Sequence, residues 1–592
     1  MNDFIFGTLA TQKLRRARVE GQRSDVTHLH NRHPRDPQPG EAVHIQVSSG
    51  PAQPGSRAWV YWTVDGTDPS GLQGKPENGF CVELEPVDPI WDTVLWGYIQ
   101  LFSGFIPGQP AGTLVRYRTS SWSPTEGEKF SDQGAYEAYY VDVDPIPEWA
   151  KSAVIYQVFP DRFFPGTRKE WLKPDTPSGF YGGTLRGITE KMDYIAGMGF
   201  NTIWLNPIFP SPSHHGYDAT DLFSIAPRLG TLQDFQELVK ESHRQGIRLI
   251  LDFVPNHWSS LHPTFQDAIR NPASKYRDWY LFRNYPDEYE TFFGVKDLPQ
   301  LNLRNPETRQ HICDAAGYWL DLGVDGFRLD YAIGPSHDFW AEFRRETRKV
   351  NPECWTFGEV VDPPDVQVSF EGLLDGCLDF MLLEGIRQTF AFGRWDGVRF
   401  TSFLQRHQQF FPQQFSRPSF LDNHDMNRYL WACGGNERRL KLAALCQFTL
   451  QGPPVVYYGT EVGLSQLRDV RQGSLGLPEE SRLPMIWQLQ NQGLKAYYQR
   501  LISFRKTHSE VIDGDFVAVH ANKSSIIYKR ALGNQYSMVL MNLSARSTDI
   551  PISLSPLQVA LVTDPTCSIH QENNGLKVHL PALSGMVLES IH

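Results

Sequence analysis

The sequence predicts an α/β protein: a (β/α)8 TIM barrel with a small subdomain inserted after its third strand, flanked by N-terminal and C-terminal antiparallel β-sandwich domains. Three observations predict it. Between about residues 146 and 507, eight short apolar segments alternate with segments of helical spacing, the pattern of a closed parallel barrel. On either side, apolar residues alternate with period two between turns rich in Gly, Pro and Asp. The 592 residues also exceed what one hydrophobic core serves.

In the first zone, 1–145, the alternating segments are AVHIQV (42–47), AWVYWTV (58–64), TLVRYRT (113–119) and YEAYYVDV (136–143). The prolines of DVDPIPEWA (142–150) deny continuation to helix or strand and mark a linker. The barrel, 146–507, reads as strands AVIYQVF (153–159), NTIWLNPIF (201–209), IRLILDFVPNH (247–257), GVDGFRLD (323–330), CWTFGE (354–359), GCLDFML (376–382), PSFLDNHD (418–425) and PPVVYYG (453–459). Between them LRGITEKMDYIAGMG (185–199), LQDFQELVKESHRQG (232–246), RQHICDAAGYWLDLG (309–323) and FWAEFRRETRKV (339–350) have helical spacing. The first two of these end on Gly, a natural stop. The stretch of about 258–304 has no clear period and is too long for an ordinary βα loop, so it reads as the inserted subdomain. In the last zone, 508–592, DFVAVHA (515–521), SIIYKRA (525–531), YSMVLMNLS (536–544), LQVALVT (557–563) and GMVLESI (585–591) alternate again.

Composition excludes several classes of function. A net charge of −11 argues against nucleic acid as a partner, and the single basic run, Lys13 to Arg18, is too short to change that. No run of 18 apolar residues predicts a membrane span, and the first residues do not read as a secretory signal. Seven scattered cysteines without metal-ligand spacing read as reduced thiols, which places the protein in the cytoplasm. The 16 Trp, 23 Tyr and 36 Phe serve large cores and could also stack on sugar rings; Trp59, Trp62, Trp91 and Trp96 of the first zone read as sandwich core or interface, with a sugar platform as the alternative.

The chemistry gathers where barrel strands end. Strand three ends in DFVPNH (Asp252–His257), strand four in GFRLD (Gly326–Asp330), strand five in FGE (Phe357–Glu359) and strand seven in LDNHD (Leu421–Asp425). In such barrels the C-terminal strand ends carry the active site. A spacing of two places Arg328 and Asp330 on one face of their strand. Carboxylates from neighbouring strands can flank a glycosidic bond, one attacking the anomeric carbon while the other protonates the leaving oxygen. Arg328 beside Asp330 favours an ionised nucleophile, and crowding by other carboxylates favours a protonated acid.

DFVPNH, GFRLD, FGEV and FLDNHD, in that order, resemble the four signature regions of the α-amylase family of glycoside hydrolases (family 13). NPIFPSPSHHGYDATD (206–221), LPQLN (298–302) and GPPVVYYGTEVGL (452–464) extend the resemblance, which runs from about 150 to 505 and into the C-terminal sandwich. It implies that Asp330 is the nucleophile, Glu359 the general acid and then base, and Asp425 the carboxylate that grips the sugar's 2- and 3-hydroxyls. It implies further that His257 and His424 hydrogen-bond the same sugar, that Arg328 orients the nucleophile, and that Tyr217 stacks beneath the ring with His215 beside it. Asp252 and Asn256 take scaffold roles, Asp252 pairing with Arg328.

The N-terminal sandwich and LPQLN resemble the neopullulanase, cyclomaltodextrinase and maltogenic amylase branch. That branch implies an α-glucan oligosaccharide or cyclic glucan as substrate, α-1,4 cleavage with some α-1,6, no cofactor, and a homodimer in which the N-terminal domain closes over the neighbour's site. Two places depart from it. The branch follows the nucleophile with an Asn-Glu pair, whereas this chain has Tyr331, Ala332, Ile333 and Gly334; after the acid it offers Trp, whereas Val360, Val361 and Asp362 stand here. The segment DRFFPGTRKEW (161–171), with Arg168 and Lys169, lacks the acidic ligands a calcium ion wants, so no metal is expected there. A transglycosylase using the same intermediate is the nearest alternative. A non-catalytic glucan-binding relative is the more distant one.

Overall fold

A computed structural model of the chain describes residues 25–51, 54–143, 146–167, 169–471, 478–553, 557–572 and 575–590; the basic run Lys13 to Arg18 and Arg168 lie outside them. Eight parallel strands form the central sheet: β1 Ile155–Val158, β2 Thr202–Leu205, β3 Arg248–Phe253, β4 Gly326–Leu329, β5 Trp355–Gly358, β6 Gly376–Cys377, β7 Ser419–Phe420 and β8 Pro454–Tyr457. They pair in the order β6-β5-β4-β3-β2-β1-β8-β7. Backbone bonds between β6 and the residues entering β7 close the ring: Cys377 N donates to Ser416 O at 3.0 Å and Asp379 N to Pro418 O at 2.9 Å.

Period two along each strand sets the barrel interior. The inward rows run Ile155 to Gln157, Trp204 to Asn206, Ile250 to Asp252 and Trp355 to Phe357 to Glu359. Ile155, Trp204, Ile250, Trp355, Phe357, Phe420 and Val455 pack into one apolar plug, and the polar ends of the rows lie beyond it. A much larger core surrounds the barrel, where the outward strand residues meet the helices. There α1 (Leu185–Glu190) and α2 (Met192–Met198) divide at Lys191 what the sequence reads as one helix, and Gly199 ends it with a left-handed φ of 97°. Helix α3 (Leu232–Arg244) starts at a capping box in which Thr231 and Asp234 accept each other's backbone N–H. Helices α4 (Pro306–Asp321) and α5 (His337–Val350) follow their expected segments.

The sixth segment departs most from expectation. Only Gly376–Cys377 is strand, and Phe380–Ile386 is a helix, α6, capped by the Asp379 side chain. Within 258–304 there are a short helix, Pro263–Arg270, and a two-stranded ribbon, Phe282–Asn284 with Glu288–Tyr289. The N-terminal residues form a nine-stranded antiparallel sheet with its own core. Trp59 and Trp62 belong to its interior, whereas Trp91 and Trp96 are 46% and 78% exposed. The C-terminal residues form a five-stranded and a three-stranded sheet packed face to face, the latter from strands that the sequence pattern misses.

Candidate active site

One guanidinium organises the mouth of the barrel. Arg328, the last inward residue of β4, is fully buried. Its Nη1 lies 2.9 Å from Asp330 Oδ1 and 2.7 Å from Asp252 Oδ1, and its Nη2 lies 2.7 Å from Glu359 Oε1. Two carboxylates from adjacent strands are thereby held on two nitrogens of one planar group, and Asp252 on β3 makes the expected pair. The second Asp252 oxygen accepts from Trp204 Nε1 at 3.0 Å and from Tyr217 Oη at 2.8 Å.

The third carboxylate is built from the opposite side. Asp425 Oδ1 lies 2.9 Å from Arg482 Nη2, and its Oδ2 lies 3.0 Å from His424 Nε2. Gln157 Nε2 lies 2.9 Å from His424 Nδ1. His424 Nε2 also lies 2.6 Å from Tyr217 Oη, and the two rings are parallel within 1° at a centroid distance of 5.3 Å. Both ring nitrogens of His424 thus have protein partners.

A cavity of about 190 Å³ opens over these groups, lined by His215, Tyr217, His257, Phe292, Leu298, Asp330, Glu359, Asp425, Pro478, Glu479 and Arg482. The structure therefore brings all three carboxylates, His215, Tyr217 and His257 into the wall of one cavity. It places Arg328, His424, Asp252 and Asn256 behind that wall as supports. The inserted subdomain supplies Phe292, whose ring stacks on His257 at 4.2 Å, and Leu298, the first residue of LPQLN. Leu301 N of that motif donates to Asn256 O at 2.9 Å, docking the subdomain on the end of β3. Phe292, Glu479 and Arg482 were not anticipated: they lie outside the strands, where no period singles them out.

The electrostatics separate the carboxyl groups. Burial pushes Asp330 well above the ordinary aspartate range, the adjacent Glu359 and Asp252 add to this, and the Arg328 charge opposes it without winning. Arg328 thus favours the ionised form, as the sequence suggests, against burial and the neighbouring carboxylates. Burial likewise raises Glu359, against Arg328 and with Asp425. The two titrate as a pair rather than as independent acids. Asp425 is buried too, yet His424 and Arg482 hold it below the ordinary range. Burial lowers His257 to about 3 and His215 to about 4, so both imidazoles are neutral near pH 7.

The loop after β4 carries the departures from the branch pattern. Tyr331 has a left-handed φ of 44°. Its ring meets Phe292 at 4.9 Å and Phe293 at 5.3 Å, both edge to face. A Cβ at Gly334 would lie 2.2 Å from Asn256 Oδ1. At the expected calcium-free loop, Asp161 is occupied structurally, accepting from Tyr181 N and Gly182 N at 3.0 and 3.1 Å. Among the described residues, no group of three or more His, Cys, Asp or Glu could hold a metal ion.

A closed parallel barrel with a guanidinium-bridged carboxyl pair at its C-terminal mouth is the framework of a barrel glycosidase. Residues 157–510 match the family described as "Alpha amylase, catalytic domain", and residues 23–78 match "Lmo2446-like, N-terminal". The chain belongs to the α-amylase family. It is 39% identical over 412 residues to "Alpha-amylase 2" of Dictyoglomus thermophilum, covering 69% of this chain and 72% of that protein. It is 34% identical over 522 residues to "Neopullulanase 2" of Thermoactinomyces vulgaris, covering 83% and 86%. A solved structure titled "Cyclomaltodextrinase" superposes with a TM-score of 0.70 at 25% identity, covering 95% of this chain and 99% of that one.

Proposed function

We propose that the protein is a retaining α-glucan hydrolase that cleaves α-1,4 bonds, with some α-1,6 cleavage, in maltooligosaccharides, cyclic glucans or pullulan. The observation that carries this reading is the placement of Asp330 and Glu359 on the two terminal nitrogens of Arg328. Such a bridge supports a close carboxyl pair, as double displacement needs at about 5–5.5 Å. In this reading Asp330 Oδ attacks the anomeric carbon while Glu359 gives its proton to the departing oxygen. The glycosidic C–O bond breaks as a glycosyl-Asp330 ester forms. Glu359, now ionised, takes a proton from water, whose oxygen displaces Asp330 and regenerates both groups. Asp425, held ionised, takes hydrogen bonds from the sugar's 2- and 3-hydroxyls and favours the oxocarbenium-like transition state. Tyr217, His215 and His257 form the rest of the sugar's seat. The nearest alternative, transglycosylation, diverges only when a sugar replaces water.

Names of the relatives, among them a neopullulanase and a cyclomaltodextrinase, support the substrate class. Seven unpaired thiols fit a cytoplasmic setting, and the homodimer implied by the branch belongs to the same reading. The test is product analysis on maltotriose, cyclodextrins and pullulan. Products shorter than the substrate with retained α-configuration are the expected result; products longer than maltotriose assign transfer instead. Asp330→Asn and Glu359→Gln should each retain less than about a hundredth of the wild-type rate, and a higher residual rate for either rules out its assigned role.

A further inference from the structure

The N-terminal sheet carries an aromatic feature that the cavity does not use. The strand Phe80–Asp92 pairs antiparallel with Gly97–Ile106, and Trp91 faces Tyr98 across the hairpin. Trp91, Trp96 and Tyr98 are 46%, 78% and 69% exposed. The Trp91 ring meets Trp96 at 5.6 Å and Tyr98 at 5.0 Å, with interplanar angles of 72° and 75°. These rings form an angled corner in solvent, and none of them lines the carboxylate cavity. Isolated exposed aromatics need no explanation, but two gathered on a third do.

The tip is also rigidly built. Asp92 is buried, and its Oδ1 accepts from Val94 N at 2.7 Å and Leu95 N at 3.0 Å, closing the turn. Trp96 holds a left-handed φ of 55°. That conformation is costly for a bulky side chain, and the closed turn keeps it there with the indole exposed.

Charge selects the occupant. Residues 80–106 contain Glu83, Glu85, Asp88 and Asp92 and no Lys, Arg or His. Glu83 is neutralised by Arg57 at 2.6 Å, while Glu85 and Asp88 are exposed. A nucleic acid or an anionic membrane would meet the carboxylates of a hairpin that carries no cation of its own. A second copy presenting this face would bring like charges together. A neutral polysaccharide meets neither obstacle: its C–H faces cover aromatic rings, and its hydroxyls donate to carboxylates. Rings set at about 70° to one another suit a bent chain better than a flat one.

We propose that the hairpin tip formed by Trp91, Trp96 and Tyr98 is a second α-glucan site, holding polymeric substrate apart from the catalytic cavity. It rests on the reading of the protein as an α-glucan hydrolase. The experiment is native electrophoresis of the full chain through gels containing amylopectin, in an Asp330→Asn background so that the polymer stays intact. Trp96→Ala and Trp91→Ala/Trp96→Ala should weaken retardation at least tenfold. In the wild-type background the same changes should leave maltotriose hydrolysis and melting temperature unchanged. Equal retardation of variants and parent overturns the proposal, as does a parent that amylopectin does not retard. A parent dimer that becomes monomeric in the double variant, by sedimentation velocity, also overturns it and assigns the tip to a second copy. Failure of the wild-type chain to hydrolyse any α-glucan would instead overturn the functional reading beneath it.

Discussion

Asp330 and Asp425 are both buried carboxylates, and their surroundings push them in opposite directions. Asp330 shares one cation with Glu359 and Asp252, whereas Asp425 has Arg482 at 2.9 Å and His424 at 3.0 Å. Arg482→Met should therefore lower kcat about 10- to 100-fold with little change in KM, since hydrogen bonds to charged groups contribute about 1.5–3 kcal/mol. An equal loss in Arg482→Lys would show that charge alone does not suffice; an unchanged kcat in Arg482→Met would remove the residue from the site. Asp330 and Glu359 were readable from the sequence because each follows an apolar strand, whereas Asp425 lies five residues beyond β7 and was singled out by the FLDNHD motif. Arg482 was not, because it reaches Asp425 from a loop after β8, and a loop arginine carries no positional signal. The titration of Asp330 was also hidden: sequence gives its neighbour, Arg328, but not the burial that outweighs it.

At the scale of elements, the long strands β1 to β5 followed their sequence patterns, and α6 did not. GCLDFML is apolar enough for either structure, and the Asp379 side chain decides by accepting from Leu382 N at 2.9 Å, which starts a helix where a strand is expected. The inserted subdomain was recognisable only by its lack of period, yet it supplies a wall of the cavity. Phe292 stacks on His257 and meets Tyr331. Phe292→Ala should raise KM for maltotriose roughly tenfold, the effect of about 1.5 kcal/mol of lost aromatic contact, while kcat changes little. A kcat-only effect would mean that the ring orients catalytic groups instead of holding sugar.

For the whole molecule, buried neutral histidines tie stability to pH. His257 and His262 are each lowered to about 3 from 6.5, mainly by burial. Folded chains leave them neutral while unfolded chains protonate them below pH 6.5. Their contribution is complete above 6.5 and is lost as pH falls toward 3. Raised carboxyls such as Asp330 and Glu359 act in the opposite sense, so the informative measurement is a difference between variants. His262→Gln should reduce the loss in urea-unfolding free energy between pH 6.5 and 5 by about 2 kcal/mol, at about 1.4 kcal/mol per pH unit; an unchanged loss would mean that His262 is protonated in the fold.

The close approach of Gly334 to Asn256 has a consequence for engineering the loop. A side chain at 334 would start 2.2 Å from Asn256 Oδ1, so any residue larger than Gly there requires the Asn256 side chain to move. The two positions are therefore linked across the mouth of the barrel. A double-mutant cycle would register this as coupling, with Gly334→Glu damaging alone and tolerated beside Asn256→Gly. The conformation of the loop beyond Asp330 is then set by the residue at 256 as much as by the loop's own sequence.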